Sequence, residues 1–166
     1  PVVVTEKMDG SNLCMTKMAV FARSHNGPPT HESFNVAKSL HAQVCHSIPD
    51  GVSVFGEYVF AVHSIRYSEL PGYFLVFGVR EDSTGKWWDW DATEALAGEL
   101  GFPTVPVLAK SSIYETKGQL REETMIKYLL INDGNWTNNK SEGYVVRLAG
   151  EFTDFEKSVA KYVRAN

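Results

Sequence analysis

Apolar residues recur along much of this chain with a period of two, the mark of strands that hide one face. "VSVFGEYVF" puts Phe55, Glu57 and Val59 on one face and Val54, Gly56 and Tyr58 on the other. "YFLVFGVR" groups Tyr73, Leu75, Phe77 and Val79, and "EGYVVRL" sets Glu142, Tyr144, Val146 and Leu148 against Val145 and Arg147. The run Val2 to Val4, extended by Thr5, reads as a further buried strand. Helical spacing appears between these segments. "FNVAKSLHAQV" carries Phe34, Ala37, Leu40 and Val44 on one stripe, with Pro49 beyond it. "DATEALAGELG" offers Asp91 as N-cap, Glu94 three residues on and Gly101 as the stop. "LREETMIKYLLINDG" predicts a third helix ending near Asp133-Gly134. Strands and helices interleaved without regular alternation predict an α+β fold, antiparallel β-sheets with flanking helices.

Composition narrows the class. Of 166 residues, 43% are hydrophobic and 22% charged, so a folded globular unit of one domain is expected. The chain lacks an initiator Met and a strand-like run begins at residue 2, so residues 1–166 read as one domain cut from a longer protein. No apolar run has the length of a membrane span. The net charge of -4 argues against broad electrostatic binding of nucleic acid, but Lys157, Lys161 and Arg164 form a basic C-terminal cluster. Cys14 and Cys45 make no framework of bridges, which points to a reducing cytoplasmic setting. His41, Cys45 and His46 share part of a helical surface, yet no second ligand pair at zinc spacing accompanies them.

The chemistry begins at "EKMDGSN", where Lys7 stands on the lip of the first strand, two residues before Asp9 and three before Gly10. Alone this is a weak signal, since a strand-end lysine is usually a solvated charge. Other groups follow at intervals: Arg23 in "FARSHNG", Glu57 in mid-strand, Phe77 in "LVFGV", Glu142 in "SEGYVVR", and the tail "EKSVAKYVR". Carboxylates are disfavoured inside strands unless they have a task. Together these residues describe a charged groove between sheets.

Their order resembles the covalent nucleotidyltransferases, the superfamily of ATP-dependent ligases and capping enzymes, and most closely the RNA ligase 2 family, whose lysine motif ends in asparagine. The resemblance spans Lys7 to about Arg164 and implies a ligase-type adenylation domain. It also implies ATP and Mg²⁺ or Mn²⁺ as cofactors, RNA 5′-phosphate and 3′-hydroxyl ends as partners, and a monomer off the membrane. By this resemblance Lys7 is the nucleophile that takes AMP, Glu6 reads the adenine edge and Phe77 stacks on the base. Glu57 and Arg23 hold the ribose, and Asn12 donates to a phosphate oxygen. Asp9 orients Lys7 or a metal's waters, Glu142 is the metal-side carboxylate, and Glu57 joins the metal set through water. The family usually carries two tail lysines separated by one residue. Here Lys157 and Lys161 are four apart, and on a strand they would point the same way, roughly 13 Å apart. The interval from Glu142 favours Lys161 as the α-phosphate contact, with Lys157 further along the groove.

Each residue also has a simpler reading. Phe77 can be core, Glu57 and Glu142 can pair with Arg23 and Arg147, and Asp9-Gly10 can be a turn joining the first two strands. Arg147 and Lys140 read as solvated. Trp87, Trp88 and Trp90 in "KWWDWD" fit a hairpin edge packed under a helix better than a stacking platform for RNA. His63 and Tyr67 follow the Glu57 strand and can face the groove. Rival functions are a DNA ligase, a capping guanylyltransferase, and a nucleotide-binding module without catalysis.

Overall fold

The first two strands do not pair with each other. In the computed structural model, which describes residues 1–22, 29–111 and 133–165, they belong to different sheets. Strand β1 (Val2–Lys7) sits in a four-stranded sheet with β7 (Val107–Ser111), β8 (Gly143–Leu148) and β9 (Val159–Val163), in the order β7-β1-β8-β9. Strand β2 (Ser11–Met15) sits in a five-stranded sheet with β3 (Val20–Ala22), β4 (Val52–Tyr58), β5 (Phe74–Glu81) and β6 (Lys86–Trp87), ordered β3-β2-β4-β5-β6. All paired strands run antiparallel. Asp9-Gly10 is therefore not a hairpin turn. It lies in the crossover that carries the chain from one sheet to the other.

One face of the five-stranded sheet is covered by helices α1 (Asn35–Val44) and α2 (Trp90–Leu100). Val54, Tyr58, Phe74, Val76 and Val79 pack there against Ala37, Leu96, Ala97 and Leu100, with Phe34, Leu40 and Val44 completing the stripe read from sequence. The other face turns toward the four-stranded sheet. A second cluster joins the sheets: Val3, Met8, Val59, Leu75, Trp90 and Val105.

Strand β5 departs from simple alternation. Phe55 pairs with Gly78 and Gly56 with Val76, so Phe77 is an extra residue without a cross-strand partner. A bulge of this kind shifts the side-chain phase by one. Val79 consequently joins Phe74 and Val76 in the helix-facing core, whereas Leu75 and Phe77 stay on the inner side. The expected grouping of Val79 with Leu75 and Phe77 fails for that reason.

Helix α2 begins two residues earlier than the sequence suggests. Its N-cap is Asp89, whose carboxylate accepts from Ala92 N–H at 2.8 Å, and Asp91 lies in the first turn. Trp90 explains the shift: it is 1% exposed, and burying it between the sheets brings the helix start back to it. Gly101 ends the helix as expected, at φ 77°. The tryptophans take the packing role: Trp87 stacks among Phe55, Phe152 and Phe155, and Trp88 lies against the helix-facing core. The anticipated third helix and Arg23 fall outside the described residues, apart from the end of the helix segment at Asp133-Gly134.

Candidate active site

A groove of about 900 Å³ opens between the sheets, and its lining follows from register. On the four-stranded sheet, Thr5 pairs with Val145, and Val145 with Lys161, so these three side chains share the groove face with Lys7 and Arg147. On the five-stranded sheet, Asn12 pairs with Glu57 and faces the groove with it, next to Phe77. Of the residues singled out in the sequence, Glu6, Lys7, Asn12, Glu57, Phe77 and Lys161 line this one space.

On this lining Lys7 Nζ meets Glu142 Oε2 at 2.8 Å, with both side chains about three-quarters buried. Glu142 lies just before β8, so strand alternation does not fix its direction, and its carboxylate turns to Lys7. Glu57 stands close by and accepts from Gly10 N–H at 3.1 Å. Burial pushes its carboxyl up to about 7; the Lys7 charge and the Gly10 bond oppose that rise, and the negative charges of Glu142 and Asp9 add to it. Gly10 must be glycine, since a side chain there would run into the Tyr58 carbonyl.

Asp9 is turned to the loop after β4. Its Oδ2 accepts from Ser64 N–H, Ser64 Oγ–H and Ile65 N–H, each at 2.8 Å, while its own N–H donates to Tyr67 Oη at 2.8 Å. Burial would raise its carboxyl, but these bonds outweigh it and hold the group below its ordinary value. His63 Nε2 lies 3.4 Å from Ser11 Oγ. His63 and Tyr67 thus meet the crossover itself. The Glu6 carboxylate is met by Asn135, through N–H at 3.0 Å and Nδ2 at 2.6 Å, and burial still raises it.

The tail corrects an expectation. Lys157 is not on a strand: it lies in the short helix α3 (Phe155–Ser158), its side chain is 86% exposed, and it pairs with Asp154 at 3.8 Å. The premise that Lys157 and Lys161 share a strand face therefore falls. Lys161 lies on β9 and faces the groove.

Arg147 is corrected as well. It is 5% exposed rather than solvated, donates to the carbonyls of Trp88 and Leu148 at 2.7 and 2.9 Å, and lies against Trp90 and Phe152. Neither Glu57 nor Glu142 pairs with it; burial lowers its guanidinium to about 10, against the pull of Asp89. Lys140 pairs with Asp133 at 3.2 Å. His41 Nε2 donates to the Thr16 carbonyl at 2.7 Å, and among the described residues no group of three His, Cys, Asp or Glu side chains forms a metal cage.

A family model for RNA ligase matches residues 1–163. The chain belongs to the RNA ligase family. No curated protein matches the sequence. Among solved structures, an archaeal ATP-dependent RNA ligase superposes with a TM-score of 0.68 at 21% identity, covering 98% of this chain and 42% of that one. RNA ligase of Naegleria gruberi with pyrophosphate gives 0.65 at 17%, covering 98% and 49%. A Lys-to-Met mutant of the Naegleria ligase with AMP and Mn gives 0.66 at 18%, also covering 98% and 49%. The chain spans less than half the length of these ligases. The shared architecture is the nucleotidyltransferase fold of RNA ligases.

Within that family frame, Val163 draws notice. It shares a strand face with Lys161, but it is exposed and does not line the groove, whereas Val159 on that face does. Sequence reading also passed over Val145, which faces the groove from the sheet opposite Phe77. Its alternation with Tyr144 was visible, but an aliphatic side chain carries no chemical flag.

Proposed function

We infer that this RNA ligase family member is an adenylyltransferase: Lys7 attacks the α-phosphorus of ATP and keeps AMP for transfer to an RNA 5′-phosphate. One observation carries the reading. The Lys7 amine sits beside the crossover between two sheets, 2.8 Å from Glu142, on a groove that also holds a second buried carboxylate and an aromatic ring.

In the step itself a P–N bond forms as the bond to pyrophosphate breaks, and the amine must be neutral to attack. Lys7 therefore has to leave Glu142 and surrender a proton. Phe77 and Val145, from opposite sheets, enclose the base. Glu57, with Arg23, holds the ribose, and Asn12 donates its amide to a phosphate oxygen. Glu6, anchored by Asn135, borders the base edge. Lys161 stabilises charge that develops on the α-phosphate, and Lys157, outside the groove, serves RNA.

The donor set suits a hard divalent cation. Glu142 contacts the Lys7 amine and Glu57 lies near enough to feel its charge; burial holds Glu57 at about 7, so a nearby positive charge would favour its ionised form. With only two or three protein oxygens, such an ion keeps several waters, as Mg²⁺ prefers. Glu142 and Glu57 would hold it, with Asp9 Oδ1 left for a coordinated water. The ion would neutralise phosphate charge and help expel pyrophosphate. RNA ends carrying a 5′-phosphate and a 3′-hydroxyl are the proposed partners, the working form is a monomer, and the two free cysteines fit a reducing cytoplasm. Among the described residues no helix is long and apolar enough to cross a membrane.

The test is covalent labelling. Incubated with α-labelled ATP and Mg²⁺, the denatured protein should retain AMP, with GTP giving none. Lys7→Ala should abolish the label and leave a folded protein. AMP mapped by mass spectrometry to any other lysine would overturn the assignment.

A further inference from the structure

Just past Lys7 the crossover is held by its backbone as well as by the Asp9 carboxylate. Asp9 N–H donates to Tyr67 Oη at 2.8 Å, and Gly10 N–H donates to Glu57 Oε1 at 3.1 Å. The two acceptors differ in permanence. Glu57 lines the groove and, in the adenylation reading, turns to a ligand there. Tyr67 lies outside the groove lining, and its ring packs against the cluster that contains Met8, the residue between Lys7 and Asp9. Once Glu57 engages its ligand, Tyr67 keeps its hold on the crossover backbone. The Asp9 carboxylate does less for the backbone, since its bonds to Ser64 and Ile65 act through rotatable side-chain torsions.

Tyr67 is itself clamped. Thr137 Oγ1–H donates to the Arg66 carbonyl at 2.7 Å, and Ser68 N–H donates to the Trp136 carbonyl at 2.6 Å. Glu69 and Trp136, beside and at that second bond, take left-handed backbone at φ 57° and 56°, and among the described residues they are the two non-glycine residues that do so. Side chains of this size disfavour that conformation, so the surrounding contacts must impose it. The stretch that clamps Tyr67 also supplies Asn135 to Glu6 and runs on into Glu142, the partner of Lys7. Burial pushes the Tyr67 hydroxyl above its ordinary value; the Asp9 bond opposes that rise, and the charges of Glu6, Asp9 and Glu142 add to it. The acceptor therefore stays a neutral hydroxyl near neutral pH.

We propose that Tyr67 is a positioning residue for the nucleophile: its hydroxyl fixes the Met8–Asp9 peptide, and through it the direction in which the Lys7 amine leaves Glu142. The inference rests on the adenylation reading for the task of Lys7. Attack demands alignment, and a displacement of about 1 Å can cost a rate about a hundredfold without weakening substrate binding.

The experiment compares wild type with Tyr67→Phe, which keeps the ring and removes the acceptor, and with Thr137→Val, which loosens the clamp without touching the crossover. Single-turnover labelling with ATP and Mg²⁺ gives a maximal rate and a half-saturating ATP concentration. Amide hydrogen exchange of the nucleotide-free protein reads the Asp9 N–H directly. Tyr67→Phe should lower the maximal rate about tenfold and leave half-saturation where it is. Its Asp9 amide should exchange about tenfold faster, with the core strands unchanged. Thr137→Val should match wild type in rate and in Asp9 exchange. Wild-type Asp9 exchange in Tyr67→Phe would overturn the proposal, as would a loss confined to half-saturation. Faster exchange throughout Tyr67→Phe, or an equal rate loss in Thr137→Val, would also overturn it, since either marks general loosening. If wild type takes no label, the adenylation reading fails, and selectively faster Asp9 exchange in Tyr67→Phe still upholds the hold of Tyr67 on the crossover.

Discussion

A carboxyl group in mid-strand is the most exacting residue of this site. Glu57 titrates near 7 because burial penalises its charge more than Lys7 and the Gly10 N–H compensate. A group that binds its proton more tightly in the folded than in the unfolded state makes the fold lose stability as pH rises. The loss should begin near the unfolded value of 4.5 and be complete somewhat above 7. Urea unfolding at a series of pH values should show that decline in wild type. Glu57→Gln should flatten it and be the more stable protein at pH 8. An undiminished slope in the variant would place the titrating group elsewhere. The residue's type and position were legible in the sequence, because a carboxylate amid an apolar alternation is conspicuous. Its protonation was not, since that depends on how closely the second sheet covers it.

At the scale of elements, the tightest requirement falls where β8 meets β9. A side chain at Gly143 would collide with the Tyr162 carbonyl, on the strand that presents Lys161 to the groove. Gly143→Ala should force the strands apart and cost about 1–3 kcal/mol, read as a lower midpoint in thermal or urea unfolding. Gly150→Ala, where nothing stands within 4 Å, should be near neutral and serves as the control. If Gly143→Ala is as stable as wild type, the contact is not a constraint. The alternating strands and the α1 stripe were readable because each follows a local period. The β5 bulge was not, since Phe77 keeps a perfect alternation with Leu75 in sequence and only the pairing with β4 breaks the phase. The start of α2 lies two residues from its expected place for a related reason: Asp89 and Asp91 are equally good caps, and the burial of Trp90 selects between them.

For the whole molecule, the two tail lysines offer the clearest test. Lys161 is set on the groove wall two strands from Lys7, about 12 Å away between Cα atoms by ordinary strand spacing. Two long side chains can approach one phosphate from such positions. Lys161→Ala should suppress self-adenylation at all ATP concentrations. Lys157→Ala, altering a side chain exposed beside Asp154, should leave that step intact and show its effect in sealing RNA. Normal labelling of Lys161→Ala together with none for Lys157→Ala would exchange the roles. By itself the sequence determined the residue types of the site, the order of its motifs and the antiparallel class, because strand period and side-chain chemistry are local properties. Only the tertiary structure decided that Lys7 ends its strand at a crossover between sheets, that Glu142 turns to it, that Asp9 fastens the loop after β4, and that Arg147 is buried. Each of those outcomes depends on which segment lies beside which, and contacts across 55 to 135 residues leave no trace in the local pattern.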